Sequence, residues 1–180
     1  MATAVNSFLT PAQFESIYTD EIKPYYEYWF GKAIPKSTPT LSHGVMQVTV
    51  GMFLMRNGWR TATELRLKLS KVAFPVPDIA ANRKPFHGPY PTEPFDLCVE
   101  ILSPGDPLDK LFDKCAHYLD WGIGSVWLID PDGRMAYSMT IENPQPLRID
   151  ISGVLTAGSG SSGLILSMSD LFAEFDRNLG

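Results

Sequence analysis

Cysteine is scarce in this chain. Two residues, Cys98 and Cys115, are too few for a disulfide framework. Cys98 falls in a strand-like apolar run and Cys115 in a helical one, so both read as reduced core thiols. Basic charge is also short: 15 Lys and Arg stand against 20 Asp and Glu, for a formal net charge of −5. A dedicated duplex binder meets phosphates with Lys and Arg and is usually basic. The balance therefore argues against tight, lasting duplex binding, and leaves room for a local basic groove or weak, metal-dependent engagement. No window reaches the roughly 18 apolar residues of a membrane span. The opening "MATAVNSFLT" lacks the basic start and apolar run of a signal peptide. A cytoplasmic protein with no membrane partner is expected. Internal repeats, a phosphate-cradling P-loop and a dinucleotide fingerprint are all absent.

What is present suffices for a core. The 180 residues are 44% hydrophobic and 19% charged, which fits one ordered domain over 1–180. Thr10 and Pro11 open a short helix. "YYEYWFGKAIPKS" reads as a hairpin around a glycine turn. "SHGVMQVTVGMFLMRNG" is a long helix, apolar around most of its circumference, stopped by Asn57-Gly58. "TATELRLKLS" alternates Leu65, Leu67 and Leu69 against Glu64, Arg66 and Lys68, which predicts a strand with one polar face. "VPDIA" and "FDLCVEILS" are strands. Between them runs the Pro-rich loop "ANRKPFHGPYPTEP". A helix over "DPLDKLFDKCAHYLDWG", with Asp106 as N-cap, leads to the strand "SVWLID". Strands "RMAYSMTI" and "LRIDISGVLTA", the flexible "GSGSSG", a strand "LILS" and a helix capped by Ser169 complete the order. Helices interleaved with strands predict an α/β sandwich around a mixed sheet, with a parallel crossover into "SVWLID".

Two acids sit oddly. Asp78 follows Val76-Pro77, and Glu100 lies between Val99 and Ile101. A buried carboxylate is costly unless paired or bound to a cation. A divalent ion removes that penalty, and oxygen-only ligands suit Mg²⁺ or Mn²⁺. Such an ion polarises a phosphodiester, and a nearby lysine stabilises charge at phosphorus. Lys114 lies two turns into its helix, on the face of Lys110 and Tyr118.

The order of these pieces resembles the PD-(D/E)XK nuclease superfamily and, within it, the bacterial Uma-two family of restriction endonucleases. The resemblance runs from about Tyr26 through Asp132. It is carried by "YYEYWFGKAIPKSTPTLSHG", "VPDIA", "CVEILSPGD", "KCAHYLDWGI" and "VWLIDP" in that order and spacing. It implies a restriction-endonuclease-like three-layer fold, with a core at about 41–132, an N-terminal helix and hairpin at 10–36 and C-terminal strands and a helix at 133–177. It also implies a metal-dependent endonuclease acting on DNA. Asp78 and Glu100 would hold Mg²⁺ or Mn²⁺, and Lys114 would be the lysine displaced into the following helix. The chain departs from (D/E)-X-K itself, since position 102 is Leu102. Gln47, His43 and Glu64 are accessory candidates.

Each residue also has an ordinary reading. Asp78 can cap backbone amides, and Glu100 can pair with Arg66, Lys68 or Lys114. Lys114 can be a solvated helix lysine and His43 an N-terminal helix residue. The loop bearing Arg83, Lys84, Phe86, His87 and Tyr90 suits either nucleic-acid contact or plain surface. Cys115-x-His117 has no second ligand pair for zinc. The competing functional reading is a non-catalytic, oligomeric interaction module that keeps the fold. Two cuts on a duplex favour a homodimer. The aromatic hairpin at Tyr25, Tyr26, Tyr28, Trp29 and Phe30 is either its interface or sheet core.

Overall fold

The computed structural model describes residues 8–19, 25–158 and 163–180. The first seven residues, the far end of the expected first helix and most of "GSGSSG" lie outside them.

A short helix, α1 (Pro11–Ile17), begins at a capping box in which Thr10 and Gln13 satisfy each other's backbone amides. The hairpin follows as β1 (Tyr26–Trp29) and β2 (Lys32–Pro35). Its turn places Phe30 at φ 47° and Gly31 at φ 89°, the doubly left-handed turn that matches strand twist. Helix α2 (Leu41–Arg56) is capped by Thr40 and stops at Asn57. Then come β3 (Arg60–Thr63), β4 (Ala73–Phe74), β5 (Ile79–Asn82), β6 (Leu97–Ile101) and α3 (Leu108–Asp120). The chain continues with β7 (Ser125–Asp130), β8 (Met135–Thr140), β9 (Leu147–Ile149), β10 (Val154–Ala157), β11 (Leu164–Ser167) and α4 (Met168–Leu179).

The central sheet has six strands in the order β3-β5-β6-β7-β8-β9. Among the described residues only β6 and β7 pair in parallel, and α3 is the crossover between them. Alternation along the strands splits the core into two layers. Leu97, Val99, Ile101, Trp127 and Ile129 pack with Met46, Val50 and Leu54 of α2 and Phe172 and Phe175 of α4. Cys98, Val126 and Leu128 face the other way, toward Cys115, Tyr118 and Leu119 of α3. The result is the expected three-layer α/β arrangement with a mixed sheet. The hairpin joins β4 in a separate three-stranded sheet over Phe14, Tyr28 and Phe74.

Several elements differ from the sequence expectation. The strand over 61–70 ends at Thr63, because Glu64 turns into the left-handed region at φ 53°. Leu67 is buried as its alternation demands, and its amide bonds to the Pro75 carbonyl outside the central sheet. Asp106 does not cap α3: Pro107 holds that position, and the Asp106 carboxylate accepts from the Ser103 amide at 2.9 Å. Ser167, not Ser169, caps α4. The segment 147–157 is two strands, separated by a turn at 150–153. Helix α2 buries one side only, and Val48 and Met55 are more than half exposed. The aromatic hairpin is divided: Tyr28 enters a core, while Phe30 is 50% exposed.

Candidate active site

The sheet ends beside the hairpin, and there the acids meet. In the β5–β6 ladder Ile79 lies opposite Val99. One residue further, that register sets Asp78 opposite Glu100. On the other side Thr63 pairs with Ile79, so the same row continues to Glu64, whose amide donates to the Asp78 carbonyl at 3.3 Å. Three acids from three adjacent strands thus share one rung just past the regular ladder. Asp78 is 1% exposed and Glu100 3% exposed.

Asp78 is held on both oxygens. Its Oδ2 accepts the Ile101 amide at 2.7 Å. Its Oδ1 meets the Lys36 ammonium at 2.7 Å and His43 Nε2 at 3.4 Å. Lys36 also reaches Glu64 at 2.7 Å. Gln47 donates to the Asp78 carbonyl at 2.8 Å and to Glu64 at 3.2 Å. The other ring nitrogen of His43 lies 3.1 Å from Ser103 Oγ. Burial pushes the Asp78 carboxyl up, but the His43 hydrogen bond and the Lys36 charge outweigh it and hold the group well below the usual carboxylate range.

Glu100 sits in a second, deeper group. Its Oε1 accepts the Tyr118 hydroxyl at 2.6 Å and the Lys114 ammonium at 2.9 Å. Lys114 is shared with Glu27 at 2.8 Å. Glu27 is itself tied down by the Val76 amide at 2.7 Å and the Trp29 indole at 2.9 Å. Burial pushes the Glu100 carboxyl up to about 7; Lys114 pulls it back only in part, and the Asp78 charge adds to the rise. Burial alone would lower the Lys114 ammonium, but Glu100 and Glu27 together raise it well above the lysine range. Four carboxylates, Glu27, Glu64, Asp78 and Glu100, thus face two ammonium groups. His43, raised by its contact with Asp78, adds partial positive charge to the set, and burial is the first cause of the Glu100 rise.

All of these groups open onto one cavity of about 790 Å³. It brings together Asp78, Glu100 and Lys114 with His43, Gln47 and Glu64. Glu27 and Lys36 were not expected. Glu27 had a signal, since it is an acid inside the aromatic run "YYEYWF". Lys36 had none. The Pro-rich loop does not line the cavity: Phe86 packs edge-on against Phe95 at 5.5 Å, and Tyr90 lies under Lys68 at 4.5 Å. Cys98 and Cys115 are both fully buried, and burial raises both thiols, which keeps them neutral. Among the described residues, no three His, Cys, Asp or Glu side chains close around one point as a ready-made metal cage. Magnesium needs none, because it keeps several waters and takes one or two carboxylates plus substrate phosphates.

A family model described as Uma2, putative restriction endonuclease, matches residues 11–168. The chain belongs to the Uma2 family. This Uma2 chain is similar in structure to a crystal structure of a putative nuclease from Anabaena variabilis. The TM-score is 0.76 at 25% identity, with 93% of this chain and 99% of that chain covered. No curated protein matches it. In the Uma2 chain, as described, no helix is long and apolar enough to cross a membrane.

Proposed function

We propose that this Uma2 protein is a divalent-metal-dependent endonuclease that hydrolyses phosphodiester bonds in DNA. The observation that carries the reading is the Asp78–Glu100 rung: two buried carboxylates on adjacent strand ends, opening on one cavity whose lining holds more acids than lysines. The donors are hard oxygens and the lining is acid-rich, so Asp78 and Glu100 fit Mg²⁺ or Mn²⁺. Bound there, the ion supplies Lewis-acid polarisation of the scissile phosphate.

The remaining roles belong to the chain. Lys114 keeps a positive charge beside Glu100, and Glu27 fixes where that charge points. Such a preorganised ammonium stabilises charge that develops at phosphorus. Lys36 and His43 hold Asp78 ionised at every working pH. Gln47 fixes the backbone from which Asp78 projects. The ordinary readings of Asp78 and Glu100 rest on the same contacts, an amide and a lysine, and cation binding is what separates them from this one. A cytoplasmic location, and a two-fold dimer if both strands of a duplex are cut, belong to the same proposal. The test is cleavage of DNA in Mg²⁺ and Mn²⁺ by wild type, Asp78→Asn and Glu100→Gln. Cleavage by wild type and loss of at least about a hundredfold in each variant is expected, the scale of a lost electrostatic group. Equal cleavage by all three sinks the assignment. No cleavage by any of them favours the interaction module.

A further inference from the structure

We infer that Trp29, Phe30, His117 and Trp121 form a stacking platform for an unpaired nucleobase, which makes single-stranded nucleic acid the substrate class of the site. This deepens the nuclease reading and rests on it. The four rings form one continuous group. Trp29 lies on Trp121 with centroids 5.8 Å apart and planes 27° apart. His117 stacks on Trp121 at 5.7 Å and 16°, and Phe30 meets His117 at 5.2 Å. Neither Trp29 nor Phe30 belongs to any of the three buried cores, and Phe30 is half exposed. Trp121 is partly buried against the core beneath α3, so Trp29 and Phe30 are the rings left outside it for a base to lie against.

The platform is continuous with the reacting groups. Trp29 and His117 line the same cavity as Asp78 and Glu100. The Trp29 indole donates to Glu27, and Glu27 holds Lys114. On α3, Lys110, Lys114, His117 and Trp121 recur at helical spacing along one face, over about 16 Å. Lys110 is exposed and is the cation open to a strand backbone, Lys114 is mostly buried between Glu27 and Glu100, His117 follows, and Trp121 caps the helix. Charge followed by aromatic surface is the pattern that tracks a single strand, backbone on the cations and bases on the rings. A duplex offers no free base face, and flipping one out costs a few kcal/mol.

The test follows tryptophan emission of the full chain in Ca²⁺. An oligothymidylate of about ten nucleotides and a duplex of equal length are the probes. The single strand is expected to quench emission and the duplex is not. Trp29→Leu and Phe30→Ala should each weaken oligothymidylate binding by about fivefold or more, the loss of one base stack. Thermal melts establish that each variant folds, and Trp121→Leu replaces Trp29→Leu if that one does not. Equal quenching by the duplex overturns the inference, as does undiminished binding in the folded variants. A Trp29→Leu change from dimer to monomer with binding intact overturns it too, by making the rings a self-interface. Duplex cleavage that is indifferent to Trp29→Leu sinks the platform and leaves the nuclease standing. Oligothymidylate quenching without cleavage of any nucleic acid does the reverse.

Discussion

Glu100 is the residue on which the electrostatics turn. Its carboxyl moves from an ordinary 4.5 up to about 7, so the folded chain binds more protons there than the unfolded chain. Stability from this group is therefore full below about pH 4.5 and is lost as pH rises through about 7. Glu100→Gln removes the ionised form. Loss of the Lys114 and Tyr118 contacts lowers the melting temperature of the variant, but its stability relative to wild type should rise from about pH 5 to about pH 8. Scanning calorimetry at both pH values checks this; a difference that stays constant or widens against the variant at the higher pH contradicts it. Lys36 makes a second case. Its ammonium sits 2.7 Å from Asp78, on the very carboxylate assigned to the cation. Lys36→Met should tighten Mn²⁺ binding while lowering cleavage, which calorimetry and a cleavage assay read separately. Asp78 and Glu100 were legible in the sequence because an acid inside an apolar run is an anomaly with few solutions. Lys36 was not, because a lysine just after a short exposed strand is ordinary; only its tertiary placement buries it.

At the level of elements, the hairpin of β1 and β2 does more than cover the sheet. It delivers Glu27, Trp29 and Lys36 to the site from a stretch of ten residues. Its geometry depends on Gly31, at φ 89°, where an added Cβ would stand 2.7 Å from the Phe8 ring. Gly31→Ala should destabilise the protein by at least about 1 kcal/mol. Urea denaturation measures the effect, and an unchanged midpoint counts against the strained turn. Element types were largely legible here: α2, β6, α3 and β7 stand where periodicity put them. The failures have physical causes. Leu65, Leu67 and Leu69 alternate like a strand because they cover a core, yet the left-handed Glu64 takes them off the ladder. The two-residue β4 is too short to carry a pattern and exists only through its pairing with β1.

For the whole molecule, the proposed cation would be a cross-brace. Asp78 precedes β5, Glu100 lies in β6, and their lysine partners come from the hairpin and α3. A ligand bound only by the folded state stabilises it by mass action, by about 2.7 kcal/mol at a hundredfold excess over Kd. The melting temperature should therefore climb with Mn²⁺ concentration in wild type and stay flat in Glu100→Gln. The three-layer fold was legible because five short motifs in fixed order constrain topology more than any one of them does. The charge balance of the cavity was not, because it sums groups from the hairpin, three strands and two helices. The most direct test of the account is calorimetric titration of Mn²⁺ into wild type and Glu100→Gln. The account predicts saturable binding in the wild type that the substitution abolishes. Absence of binding in both, or equal binding in both, would contradict it and leave Glu100 as the buried partner of Lys114 alone.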